Sequence, residues 1–298
     1  TFTSTTSFDH FEFRSNFDSE QSALALTLFK DRQESDAFAQ EFRLTSTSDG
    51  DFNWMAGAFY YDNDFVRGSL DPNKAMFVLG ADIGPAPQPG ATGDKAMFRS
   101  SNDTRHWSVF AQGDWQLAPR YVFSAGARFI DETKAIDARS ALQVAALPSL
   151  ASALTVPVPI VAERSTDGVA WNASLRFDAS DNTNLYVTTG RGFKAGGYNG
   201  DWDPAGTLTA ARREFADEIV MTTEVGMKSR LDSGSINVSV FHSKFDDFQN
   251  ASFLGTSFLV RNAESVTTKG VEIDGDFRPT RWLSIDYSVA YLDSQYDK

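Results

Sequence analysis

The chain has 298 residues with 27 Lys and Arg against 40 Asp and Glu, a formal charge of −13, and 41% of its residues are hydrophobic. Gross disorder is excluded by that hydrophobic share, and a non-specific nucleic-acid binder by the missing basic footprint. There is no cysteine, so disulfides, thiolate metal sites and a cysteine nucleophile are excluded as well.

The aromatic share is the first positive clue: 25 Phe, 8 Tyr and 6 Trp are residues favoured in strands and at membrane interfaces. No secretory signal is visible at Thr1, which leads us to expect a mature form or an internal stretch of a longer protein. One or two strands are expected before Ala37. From there alternation of period two predicts ten strands, at 37–44, 54–66, 107–117, 121–131, 169–177, 185–193, 220–231, 236–246, 270–277 and 283–291. In the third of these Trp107, Val109, Ala111, Gly113, Trp115 and Leu117 share one face, opposite Ser108, Phe110, Gln112, Asp114 and Gln116. Alternation also puts Phe123 on the apolar face, near mid-strand.

The longest uncharged stretch, Ser140 to Ala162, is broken by Pro148, Pro157 and Pro159 and reads as a loop, not a membrane helix. A mean hydropathy of −0.32 does not exclude a membrane barrel, because every second residue of such a barrel faces a polar lumen. The gaps between the ten strands run 9, 40, 3, 37, 7, 26, 4, 23 and 5 residues, so short and long connections alternate. Long structureless loops are uncommon in compact domains. Outer-membrane barrels account for them, with short turns at one rim and long extracellular loops at the other. A soluble β-sandwich or propeller gives similar alternation but does not require alternating loop lengths.

Several stretches then carry a family resemblance. Asn184-Leu-Tyr-Val-Thr-Thr-Gly-Arg-Gly-Phe-Lys-Ala-Gly-Gly-Tyr-Asn-Gly200 resembles a strand and loop of the barrel of TonB-dependent outer-membrane receptors. Thr223 to Ser229, Val240 to Gln249, Arg261-Asn-Ala-Glu264, Lys269-Gly-Val-Glu272 and Leu283 to Asp293 follow in matching order, and Gln40 to Leu44, Trp54 to Gly57, Phe110 to Gln112 and Ser124 to Arg128 precede them. The resemblance covers about residues 37–298. It implies an all-β fold: an antiparallel up-and-down transmembrane β-barrel, of which about 10–12 of an expected 22 strands are present. Residues 1–298 then form a partial barrel domain with no plug domain in this chain, and the chain resembles an internal fragment lacking the C-terminal strands. The family's location is the outer membrane of Gram-negative cells, and its partners are TonB, ExbB and ExbD, acting through the plug.

No chemistry of a catalytic kind stands out. His10, His106 and His242 lack metal-ligand spacing, and the glycines at 190, 192, 196 and 197 fail the dinucleotide pattern. No G-x-S-x-G elbow occurs. The acid pairs Asp62 with Asp64, Asp201 with Asp203, and Asp246 with Asp247 read as solvated strand ends. The expectation is therefore no enzyme, no cofactor and no metal site. Trp107, Trp115, Tyr121 and Trp282 lie near strand ends and read as interfacial girdles, with His106 at the membrane rim beside Trp107. Tyr198, Trp202 and Phe253 fall in long gaps and are the candidate ligand contacts.

The leading functional expectation is a receptor barrel for TonB-energised uptake of a large scarce solute, first a ferric siderophore, with oligosaccharide and cobalamin as other classes. A passive channel of about 12 strands, or a soluble β-rich carbohydrate-binding domain, are the alternatives.

Overall fold

The computed structural model describes residues 1–18, 27–47, 50–79, 94–143, 159–201, 209–254 and 257–297. Its strands are β1 (Phe2–Asp18), β2 (Thr27–Thr45), β3 (Phe52–Ser69), β4 (Phe77–Leu79), β5 (Asp94–Ala118), β6 (Tyr121–Gln143), β7 (Ile160–Ser180), β8 (Thr183–Lys194), β9 (Gly197–Tyr198), β10 (Glu214–Phe215), β11 (Glu218–Leu231), β12 (Gly234–Leu254), β13 (Ser257–Thr280) and β14 (Leu283–Asp297). Among the described residues helix is confined to a 3-10 turn at Pro72–Lys74 and one α turn at Ala210–Arg213. Among the described residues no helix is long and apolar enough to cross a membrane, which says nothing of crossing by strands.

The large sheet runs β1-β2-β3-β5-β6-β7-β8-β11-β12-β13-β14, and every pairing is antiparallel. It is an up-and-down meander containing all ten expected strands in order, with β1 ahead of them. Where β3 ends, β4 takes its slot between β2 and β5. The turns at 119–120, 181–182, 232–233 and 281–282 are short and share one rim, closed by the pairs Ala118 with Tyr121, Ser180 with Thr183, Leu231 with Gly234, and Thr280 with Leu283.

The long connections do lie at the opposite rim, but strand claims much of their length. β12 and β13 pair up to Leu254 and Ser257 with one break at Asp247, so the 23-residue gap expected there is nearly all ladder. The cause is physical. Outside the bilayer the outward face turns polar while parts of the strands stay apolar and bury Phe98, Ile136 or Leu259 against neighbouring segments, so the regular apolar-polar alternation is lost, and the strand persists through its backbone ladder and those contacts.

Cross-strand register aligns the apolar residues into a continuous row: Phe52, Trp115, Phe123, Leu175, Val187, Val225, Val240, Val271 and Tyr291 are successive neighbours on one face of nine strands. Val225 is 56% and Val240 53% exposed. In water such a face would be an aggregation surface, whereas in hydrocarbon it is the required one. The row also climbs. It begins at the first residue of β3 and reaches Tyr291 far up β14, the shear expected of a closing barrel.

Two aromatic girdles bound this band. Near the short turns Phe52 stacks on Trp115 at 4.5 Å, Trp115 lies 6.1 Å from Phe123, and Tyr121 stacks on Phe177 at 4.8 Å. Higher up, Phe8 meets Phe38 at 5.1 Å, Phe38 meets Tyr60 at 6.3 Å, and Trp107 meets Phe129 at 5.5 Å. Trp282 is fully presented in its turn. Phe123 therefore belongs to the lower girdle, two residues from its turn, and not to mid-strand. From Trp107 to Trp115 the strand rises roughly 27 Å, which a tilt of about 40° reduces to about 20 Å, close to a barrel's apolar band. Above the upper girdle the same face turns polar, with Asp131, Asp137 and Arg139 on β6 and Glu163, Ser165 and Asp167 on β7. β5, at 25 residues, is more than twice as long as the roughly 9–11 residues that span a bilayer.

Candidate functional site

The opposite face is the inner wall. On it Arg128 donates from Nε to Ser108 Oγ at 2.9 Å, and its guanidinium lies 5.4 Å from the Phe59 ring and 5.6 Å from the Phe110 ring. His106 Nδ1 is 3.1 Å from Glu132 Oε2, Lys134 Nζ is 2.8 Å from Glu132 Oε1, and Lys134 donates to the Gly196 carbonyl at 2.9 Å. Alternation turns His106 inward while Trp107 faces out, so His106 belongs to this wall network and not to the outer rim.

That network leads to a segment crossing the mouth. Between β8 and β11 the described residues 195–201 and 209–217 include the antiparallel pair of β9 and β10. Gly196 carries no side chain because a Cβ there would lie 2.3 Å from the Phe215 carbonyl. Arg164, on the inner face of β7, donates to Asp217 at 2.9 Å, to Glu214 at 3.1 Å and to the Phe215 carbonyl at 2.9 Å, and Gly196 N–H donates to Asp217 at 2.7 Å. Arg213 is 1% exposed and donates to the carbonyls of Asn199 and Asp201 at 2.8 and 2.7 Å. These backbone acceptors and the buried guanidinium fix the crossing as an ordered strap.

Both ends of the mouth hold it. On one side Arg67 of β3 pairs with Asp31 of β2 at 2.9 Å and also with Asp201. On the other, Asn199 donates to the Val260 carbonyl at 2.9 Å and accepts from Val260 N–H at 2.7 Å, while Asn262 donates to the Ala216 carbonyl at 3.0 Å. Gln249 donates to the carbonyls of Ala195 and Ala216 at 3.2 and 3.0 Å. β3 and β13 are seven positions apart in the sheet, roughly 34 Å along its surface at the usual strand spacing. Asn199 and Asp201, two residues apart, touch both sides, and two residues reach only about 7 Å. Only a strongly curved sheet permits this, so the strap identifies the polar face as concave and the apolar band as convex.

Beneath the strap Met76, Phe98, Ile136, Ala138 and Ile160 form a buried cluster on which Tyr198 packs. Burial and the nearby Glu214 carboxylate push the Tyr198 phenol up from its ordinary value. Of the three candidate ligand contacts, Tyr198 is thus on the strap, half-buried; Trp202 lies outside the described residues; and Phe253 pairs by its backbone with Phe258, its side chain lying outside the described residues. Sequence reasoning missed Asp31, Arg67, Arg164, Arg213 and Asp217, whose partners are distant in the chain. Asn199 and Asn262 did stand in quoted motifs, and the structure brings those motifs together. Among the described residues no group of three or more His, Asp or Glu is arranged to hold a metal ion.

A family model described as TonB dependent receptor-like, beta-barrel, matches residues 1–298. No curated protein matches in sequence. Among solved structures, the ferric yersiniabactin uptake receptor FyuA from Yersinia pestis aligns with a TM-score of 0.76 at 16% identity, over 99% of this chain and 40% of that one. The copper transporter OprC gives 0.70 at 13%, over 99% and 44%, and the siderophore receptor PiuA from Acinetobacter baumannii 0.65 at 16%, over 99% and 44%. The chain thus spans less than half the length of these structures, and at such identities the likeness is one of fold.

Proposed function

The chain belongs to the TonB-dependent receptors through its β-barrel domain, an outer-membrane barrel family, and from that premise we propose that the protein takes up a large, scarce solute, a ferric siderophore, across the outer membrane. The observation that carries the reading is the strap: its contacts at Asn199 and Asp201 tie β13 to β3 across the mouth, which supports a guarded entrance. A passive channel needs no such crossing. Solute bound at the strap passes along the inner wall of Arg128, His106, Glu132 and Lys134 once a plug domain, coupled to TonB, ExbB and ExbD, is remodelled. No covalent chemistry is involved, and binding and release do the work. Tyr198, on the strap, is proposed as a ligand contact, and with it Trp202 and Phe253, which the sequence puts in long connections, since aromatic side chains stack on flat chelates.

The test is uptake of radiolabelled iron from a panel of ferric siderophores by cells with and without the full-length gene, in tonB-positive and tonB-negative backgrounds. The reading expects uptake of at least one siderophore that needs both genes. Uptake independent of TonB supports the passive channel, and TonB-dependent uptake confined to sugars or cobalamin replaces the solute class.

A further inference from the structure

The convex band holds one arginine where lipid should be. Arg191 stands on the outward face of β8, between Trp171 of β7 and Met221 of β11, in the cross-strand row Ala56, Ala111, Ala127, Trp171, Arg191, Met221. One outward position higher on the flanking strands stand Val169 and Ile219, so Arg191 lies just inside the upper limit of the apolar band. Its guanidinium reaches up to donate to the Val169 carbonyl. Among the described residues no carboxylate lies within ion-pair distance of it. A charge facing hydrocarbon is costly, least so near an interface, and marks a functional site with a partner to be named.

Beside it the band is hollowed. Ala111, Gly113, Ala125 and Ala127 floor an apolar trough of about 510 Å³ between Trp54 and Trp171. Two successive rows build it, Ala56-Ala111-Ala127-Trp171 and Trp54-Gly113-Ala125-Ala173. Because every row climbs from β3 toward β14, the Trp54 end is deep and the Trp171 end lies toward the outer rim, where Arg191 stands. The trough is therefore inclined like a lipid in the outer leaflet and apolar along its length, and Arg191, on the strand next to Trp171, stands just beyond its upper end.

We propose that this trough and Arg191 together seat one lipid with a phosphate headgroup, an acyl chain along the alanine floor and a phosphate oxygen accepting from the guanidinium. A guanidinium fork matches phosphate, and a neutral headgroup would leave the charge unpaired at the interface. The site is independent of the transported solute, so it stands or falls apart from the siderophore reading.

Native mass spectrometry of the full-length receptor in mild detergent, with phosphatidic acid or diacylglycerol added to the micelles, tests the site. Only the heat-modifiable, folded barrel is scored. The expected result is one phosphatidic acid retained with no diacylglycerol, about tenfold weaker retention in Arg191→Gln, and a comparable loss in Ala127→Leu, which fills the trough and leaves the arginine intact. Arg191→Lys keeps part of the affinity, and Arg105→Gln, altering an exposed arginine outside the band, behaves as wild type. The proposal is overturned by equal retention in Arg191→Gln, by an unchanged Ala127→Leu, by displacement of the lipid with millimolar inorganic phosphate, or by a dimer that occupies the trough and disappears in Ala127→Leu.

Discussion

Val225 is flanked by Val187 on β8 and Val240 on β12, near the middle of the convex band. In the bilayer Val225→Arg is expected to destabilise the folded barrel by about 2–4 kcal/mol, whereas Val225→Ala costs less than about 1 kcal/mol because lipid fills the space. Gln112→Arg, on the inner wall, should be near neutral. Denaturant titration of the full-length protein in lipid vesicles reads all three, and equal damage from Arg and Ala at 225 would indicate a sealed core and not a lipid face. A second residue-scale contact is on the inner wall. A Cβ at Gly226 would lie 2.5 Å from the Tyr186 ring, whose hydroxyl donates to Glu224 at 2.6 Å. Gly226→Ala should cost about 1–3 kcal/mol through overpacking, and adding Tyr186→Ala should recover part of that cost, a coupling measured by the double-mutant cycle. These assignments were legible in the sequence, since alternation alone separates Val225 from Glu224. The position of Phe123 in the lower girdle was not, because depth in the bilayer depends on register and shear.

At the scale of elements, the strap predicts a local effect. Arg164→Ala removes the common partner of Glu214, Asp217 and the Phe215 carbonyl, so amide exchange over 195–201 and 209–217 should accelerate while β5 and β6 keep their protection. If exchange in the strap is unchanged, Arg164 does not hold it. The extended hairpin of β6 and β7 makes a different prediction. Asp137 accepts from Arg139 Nε and Nη2, both at 2.7 Å, and that hydrogen bond and charge hold its carboxyl below the ordinary range. A depressed folded value means that its contribution is present above the unfolded carboxylate value of about 3.9 and is lost as pH falls through the lower folded value. Titration of the Asp137 carboxyl by NMR should give a midpoint below that of the Arg139→Gln variant, and identical midpoints would remove the pair from the account. The outer halves of these strands escaped the sequence reading because their outward face is charged while their inward face mixes apolar Ile136 and Ala138 with Glu132 and Lys134, so neither face is uniformly apolar. The strap escaped because its ties join Arg67 to Asp201 and Asn199 to Val260, contacts that no local pattern encodes.

For the whole molecule, short turns, climbing rows, two girdles and the strap follow from one arrangement, a tilted sheet curved with its polar face inward. The number and order of the strands could be read from period and gap length, and the curvature only from contacts between distant strands. The most direct measurement uses the absence of cysteine from this chain. Single cysteines at Val225, Val271, Gln112 and Glu272 in the full-length protein, in outer membranes, are exposed to a charged, membrane-impermeant maleimide. The account predicts that Gln112→Cys and Glu272→Cys react while Val225→Cys and Val271→Cys do not until the membrane is dissolved and the protein unfolded. Rapid reaction at 225 and 271 with protection at 112 and 272 would contradict it.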